Sequence, residues 1–397
     1  MRSGEVQTDA IVVGAGIVGA ACGYALARSG LAVTVLEAAA AASGTSGQGE
    51  GNLLISDKEP GPELALARYS LGLWDALEET LRDRLPPGLG PIEYERKGGL
   101  VVATTDAGVR PLLRFAASQR AAGVDARPID HEHALALEPA LNPAVTAAVH
   151  YPEDAQVQPV IATETLLAAA RSHGGRTLFG QRVTGPIRDA GGRLVGVRTA
   201  TGEHRAGHVV LACGPWSGAV ADRFGARIPV GPRRGVILVT SRMPHRIFGK
   251  VYDADYVGAV GSDDQDLQTS SVIESTAAGN VLVGSSRRRS GFDQSFDLEA
   301  IAEIAAKAIR IFPFLATASV IRSYGGFRPF MPDHLPAIGP DPRVKGLWHA
   351  TGHEGAGIGL SLGTAEMITD LITGREPHLD AAPFDPGRPA LQEVTSG

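Results

Sequence analysis

The chain has 397 residues, 44% of them hydrophobic and 20% charged, the profile of a folded globular protein with two or three domains. A net charge of −6 with no basic tail or stripe argues against nucleic-acid binding, which needs clustered Lys and Arg for its phosphate contacts; the triplet Arg287-Arg288-Arg289 is explained by a solvated turn as well as by a patch. Glycine is the outlier at 50 residues, against a usual ~7%, and it follows no collagen-like repeat.

Asp9 to Val13 reads as a strand that starts too early to leave room for a signal peptide. Gly14-Ala15-Gly16-Ile17-Val18-Gly19 follows, then a helical stretch from Ala20 to Ser29, a second strand from Ala32 to Leu36, and Glu37. This is a dinucleotide fingerprint in its full context. Gly14 permits the tight turn, Gly16 lets the backbone approach a pyrophosphate, and Gly19 lets helix and strand pack closely. The helix start offers N–H groups and a partial positive charge to the pyrophosphate. Glu37, followed by Ala38, is placed to accept hydrogen bonds from ribose hydroxyls. A carboxylate there argues against NADP and leaves NAD and FAD open.

The loop from Ala42 to Leu53 carries Ser43, Thr45, Ser46, Gly49, Gly51 and Asn52 close behind that acid. Its hydroxyls and backbone N–H groups can meet a second part of the ligand across the carboxyl edge of the sheet. A helical pattern from Glu63 to Arg84 stops at Pro86-Pro87-Gly88. Gly99 to Thr104 reads as a strand, and Asp106 to Ala122 and Ile161 to Ser172 as helices. Further strands are expected near Gly235 to Thr240, Val272 to Ser275 and Asn280 to Ser285, and a helix over Asp297 to Ile311. Gly352-His353-Glu354-Gly355-Ala356-Gly357-Ile358-Gly359 precedes a helix from Leu360 to Ile372. The residues from about Ala381 read as a loose Pro-rich tail, and His349 as structural. Cys22 and Cys213 have no metal-ligand spacing and cannot build a disulfide framework, so no metal and a cytoplasmic setting are expected. No apolar run reaches ~18 residues, so no membrane-spanning helix is expected.

Taken with Asp154 to Pro159, Val183, Val209 to Ser217, and Gly326-Phe327-Arg328-Pro329, these motifs resemble, in order, the FAD-dependent amino-acid and amine oxidase family. That family includes D-amino-acid oxidase, glycine oxidase and monomeric sarcosine oxidase. The resemblance implies an α/β fold, with a Rossmann-type FAD-binding domain (1–87, 153–227 and 322–397) interleaved with an α+β substrate domain (88–152 and 228–321) on a mainly antiparallel sheet. It implies FAD contacts from the residues named above, from Val183 through its main chain, from Cys213, Gly214 and Trp216, and from Gly352 to Ile358. The helix start there would aim N–H groups at the flavin edge where charge develops. With no cysteine between Gly325 and Met331, noncovalent FAD is expected. Arg328 corresponds to the arginine that forks onto the substrate carboxylate. His353 is a candidate for touching flavin or substrate, and equally a structural turn residue.

Two departures matter. Gly355 stands where glycine oxidase has a second carboxylate-facing arginine, and Val272 or a neighbour where it has a substrate tyrosine. Tyr252 and Tyr256 are the expected substitutes, and the pocket is expected to be roomier and less polar. The implied reaction is transfer of a Cα hydride from an amino acid or N-substituted amino acid to flavin N5. The imine product hydrolyses to an oxo acid and an amine, and oxygen becomes hydrogen peroxide. This chemistry asks for orientation more than for a strong side-chain base. Asn52 to Pro62 and the Gly-His-Glu-Gly-Ala-Gly-Ile form also resemble catalytic subunits of dehydrogenases acting on opines, hydroxyproline or, in hydrogen cyanide synthases, glycine. In that alternative a partner with iron–sulfur or flavin centres takes the electrons. A homo-oligomer and a hetero-oligomer with electron-transfer subunits are both compatible with the chain.

Overall fold

A computed structural model describes residues 8–254 and 266–393. Its strands are, in chain order, β1 (Ala10–Val13), β2 (Val33–Leu36), β3 (Asn52–Leu53), β4 (Gly99–Ala103), β5 (Arg127–Ile129), β6 (Ala147–Tyr151), β7 (Ala155–Gln156), β8 (Arg176–Leu178), β9 (Val183–Arg188) and β10 (Leu194–Thr199). They continue as β11 (Gly202–Arg205), β12 (His208–Leu211), β13 (Gly231–Thr240), β14 (Lys250–Asp253), β15 (Gln268–Ser275), β16 (Val281–Arg287), β17 (Val320–Phe330), β18 (Ala337–Pro340) and β19 (Leu347–Thr351).

The first sheet has the order β18-β19-β12-β1-β2-β8. Its pairings are parallel except at the β18 edge. β1 and β2 are buried along their whole length, as parallel strands covered on both faces must be. The helices Ile17–Arg28, Pro159–Ser172 and Gly357–Thr373 pack together on this sheet through Ala20, Tyr24, Ala169 and Leu362. The second sheet has the order β17-β13-β16-β15-β14-β4-β6-β5 and is antiparallel except where β14 meets β4. The helix Leu298–Ile311 closes one face, burying Ile304, Ala308 and Ile311 against Leu238, Ile273 and Val283. A small ribbon of β9, β10 and β11 and the β3–β7 pair complete the architecture.

The chain therefore passes back and forth between the two sheets. The expected divisions near residues 152 and 227 fall between strands of different sheets. The one at residue 321 falls inside β17, which pairs with β13 from Val320↔Thr240 to Phe330↔Gly231; the whole ribbon, Arg328 included, belongs to the larger sheet. Two further expectations change. Residues after Ala381 are docked, with Phe384 and Leu391 buried. Arg388 there forks onto Asp333 at 2.6 and 2.9 Å and donates to the carbonyls of Leu335 and Pro336. The arginine triplet is not a solvated turn either. Arg287 ends β16 and is buried, Arg288 pairs with Asp297 and Glu299, and Arg289 lies 4.7 Å over the Phe330 ring. Carboxylates and an aromatic face provide what water would otherwise supply. No helix among the described residues is long and apolar enough to cross a membrane.

Candidate functional site

A cavity of about 480 Å³ runs from the carboxyl ends of β1, β2 and β12 to the wall formed by β13, β16 and β17. At one end lies the start of the helix Ile17–Arg28. Gly14 takes φ +108°, and a Cβ on it would stand 2.5 Å from the Ala212 carbonyl oxygen. A Cβ on Gly19 would overlap the Gly14 carbonyl. These glycines are thus demanded by the way the turn packs, before any ligand is considered. Ile17 N–H donates to Ser46 Oγ at 2.9 Å. The Glu37 carboxylate accepts from Ala15 N–H and Ala39 N–H, each at 2.8 Å, which fixes its orientation at the end of β2.

Gly16, Val18, Ala38, Ser43, Thr45, Gly49, Asn52 and Val183 line the cavity along its length, as do Cys213, Gly214 and Trp216 from the end of β12. Glu354, Gly355, Gly357 and Ile358 line the far part. Ala15, Gly19, Gly51, Leu53, Gly352 and Ala356 do not; they lie behind this wall and shape it. Gly51, at φ +92°, has no room for a Cβ beside the Val157 carbonyl, and Gly352, at φ +81°, packs against Met331.

His353 lines the cavity but is almost wholly buried, and its Nε2 pairs with Thr364 Oγ1 at 2.9 Å inside the helix that follows. Burial drives its pKa down to about 3, so the ring is neutral at ordinary pH. His349 is buried against Asp341 at 2.9 Å.

Arg328 reaches the cavity from β17. Its guanidinium packs on Gly235, where a Cβ would overlap it, and its Nη1 donates to the Ser286 carbonyl at 2.7 Å. Gly355 lies alongside it; a Cβ there would stand 3.5 Å from Arg328 Nε, in ordinary contact. Directly across the ladder from Arg328 is Arg233, fully buried. Like charges at facing positions repel. Here Glu354, at φ +46°, accepts from Arg233 Nη1 at 2.6 Å and pairs with His334 Nδ1 at 3.2 Å.

Tyr252 does not reach the cavity. β14 turns it into the core, where its hydroxyl donates to Ser56 Oγ, which in turn bonds Asp154. Tyr256 lies outside the described residues. Sequence reasoning passed over Arg233, Glu50 and Ser285, the last two also on the cavity wall. A pair of arginines entering an otherwise apolar strand, Arg233-Arg234 before Val236 to Val239, was the available signal for the first. Among the described residues no cluster of His, Cys, Asp and Glu is placed to hold a metal ion.

Comparison with known proteins adds an independent line. A family model described as FAD dependent oxidoreductase matches residues 9–371. A glycine oxidase of Pseudomonas aeruginosa is 31% identical over 388 residues, covering 95% of this chain and 98% of that protein. The hydrogen cyanide synthase subunit HcnC of the same organism is 29% identical over 411 residues, covering 95% of each. The crystal structure of glycine oxidase from Geobacillus kaustophilus superposes with a TM-score of 0.85 at 28% identity, over 96% of this chain and 99% of that one.

Proposed function

The chain belongs to the FAD dependent oxidoreductase family and is an enzyme with FAD as its cofactor, and from that premise we propose that it oxidises the C–N bond of glycine-like, N-substituted or D-amino acids. The observation that carries the reading is Arg328, a guanidinium on the cavity wall seated on Gly235. A planar fork of donors matches a carboxylate and fixes the Cα–H bond relative to whatever lies beside it.

The residues along the cavity suit FAD. The helix start at Gly16 and Ile17 offers backbone donors for a pyrophosphate, and Glu37 offers a carboxylate for ribose hydroxyls. The helix start at Gly357 presents a positive dipole where a reduced flavin gathers charge. When bound, FAD would supply the two-electron acceptor for the substrate Cα–H bond. The protein's share is to orient the substrate through Arg328, to exclude water between the sheets, and to keep His353 neutral and packed. Noncovalent attachment is part of the proposal, as is a cytoplasmic setting, supported by the free thiols of Cys22 and Cys213.

Oxygen as electron acceptor is the leading reading, favoured by the glycine oxidase relatives. The alternative is a dehydrogenase that passes electrons to a partner subunit, favoured by a relative that is itself named a subunit. Anaerobic bleaching of the purified yellow protein by glycine, sarcosine, longer N-substituted glycines, D-amino acids and proline derivatives tests the substrate class. Peroxide release on admitting air separates oxidase from partnered dehydrogenase. Arg328→Ala is expected to keep its flavin and lose bleaching by carboxylate substrates; unchanged kinetics would overturn the assignment.

A further inference from the structure

The proposed chemistry gives no task to Glu50, a residue of the cavity wall. It is more than nine-tenths buried and lines the same cavity as Arg328. Its Oε2 accepts from Asn52 Nδ2 at 3.0 Å, and its Oε1 has no hydrogen-bond partner. Ser285, also more than nine-tenths buried and on the cavity wall, has an equally unpartnered Oγ. Buried polar atoms of this kind are costly unless something meets them. Two of them on one wall call for a group that donates hydrogen bonds, as an amine does.

β16 sets their spacing from Arg328. Glu50 Oε1 lies against Gly284, where any Cβ would overlap it. Ser285 comes next, and the Ser286 carbonyl holds Arg328 Nη1. The negative and positive ends are thus seated at Gly284 and Ser286, two positions apart on one strand. An α-amino acid has the same layout, with amine and carboxylate on either side of Cα.

We propose, on the reading of the site given above, that Glu50 and Ser285 form the amine end of the substrate site and that Glu50 takes the proton the bound ammonium must lose. In that step a substrate N–H bond breaks, an O–H bond forms on Glu50, and the electron pair stays on nitrogen. Only a nitrogen with a lone pair can drive the Cα hydrogen out with its electrons. The surroundings suit a carboxyl that changes protonation near neutrality. Burial raises Glu50, Lys250 on β14 pulls it down, Glu274 on β15 raises it, Asn52 and Arg328 pull it down, and the balance leaves it at about 7. The Tyr324 phenol on β17 feels the same carboxyl. Lys250 is itself bonded to Asn52 and Glu274, so it steadies the Asn52 amide that holds Glu50.

The test uses the FAD-loaded enzyme and two ligands that cannot be oxidised at Cα. Isobutyrate offers a carboxylate alone; 2-aminoisobutyrate adds an amine but has no Cα hydrogen. Flavin absorbance reports binding of each. The wild type is expected to prefer 2-aminoisobutyrate by about tenfold or more at pH 8, and Glu50→Gln to reduce that preference to about twofold while leaving isobutyrate affinity alone. Anaerobic bleaching by the best substrate should slow by about 100-fold in the variant, the scale of general-base catalysis, with its acid limb removed. Should Glu50→Gln fail to hold flavin, the wild type still decides. Neither ligand changes its own charge between about pH 6 and pH 8, so the amine preference must shrink as pH falls through that range. A preference equal in both proteins, or flat with pH, would overturn the proposal. A wild type that discriminates the two ligands but is bleached by no amino acid would overturn the oxidation reading and leave the amine site standing.

Discussion

Glu354→Gln probes the charge balance around Arg328. Arg233 is fully buried, faces Arg328 across the ladder, and feels Arg287 and Arg289 as well. Glu354 meets it at 2.6 Å. Glutamine keeps the shape and one oxygen but removes the anion, and breaking a buried pair from one side costs about 3–5 kcal/mol. For 397 residues the usual scaling of unfolding entropy with length turns this into a Tm drop of about 4–6 °C. The pH dependence follows with its sign. Burial raises the Glu354 pKa, but the His334 hydrogen bond and the charges of Arg233 and Arg287 outweigh it, and the folded value ends below the ordinary one. The stabilisation is therefore present above the unfolded value of ~4.3 and lost as pH falls through the folded one. Calorimetry of both proteins with saturating FAD should show a gap at pH 7 that closes below about pH 4. Equal Tm at pH 7, or a gap that persists in acid, would refute the reasoning.

Three other substitutions test the packing around the site and beyond it. Arg388→Ala removes a fork onto Asp333 and two carbonyl contacts; a loss of about 3 kcal/mol is expected, with chymotrypsin cutting at the now loosened Phe384 at least tenfold faster, and equal cleavage rates would rule this out. Gly51→Ala forces a side chain into φ +92° against the Val157 carbonyl and should cost about 2 kcal/mol or more along with flavin retention on desalting. Gly72→Ala, at an exposed position of the helix Pro62–Leu81 with open space around it, should instead stabilise by about 0.5–1 kcal/mol; the same sign for both would undo the argument.

What could be read from the chain was mostly local. The turn from Gly14 to Gly19 and the acid at Glu37 are bound to one another by the Ala15 N–H bond, and their spacing is written in one short segment. The helix starts were visible only roughly. The first begins at Ile17, not Ala20, and the one after Gly352 at Gly357, not Leu360, because glycines at a helix start hide the apolar periodicity. Partnerships across the chain were not visible at all. Arg233 meets Glu354, Lys250 meets Asn52, and Tyr252 meets Ser56 between elements far apart in sequence, with no local sequence mark. The docked tail was missed for a related reason. Its composition reads as a linker, and a single arginine supplies the anchor.

The back-and-forth route of the chain has a consequence for biosynthesis. β12 lies between β1 and β19, in register Ala10↔His208 and Val209↔Leu347. The nucleotide sheet begun at β1 and β2 therefore cannot be completed until β12 and β19 have been made. Until then its apolar edge and the opening of the cavity stay exposed, and contacts this distant in sequence form slowly. The nascent protein should depend on chaperone cover between the synthesis of β1 and that of β19, and its yield should respond to translation speed over the segment from β12 to β19.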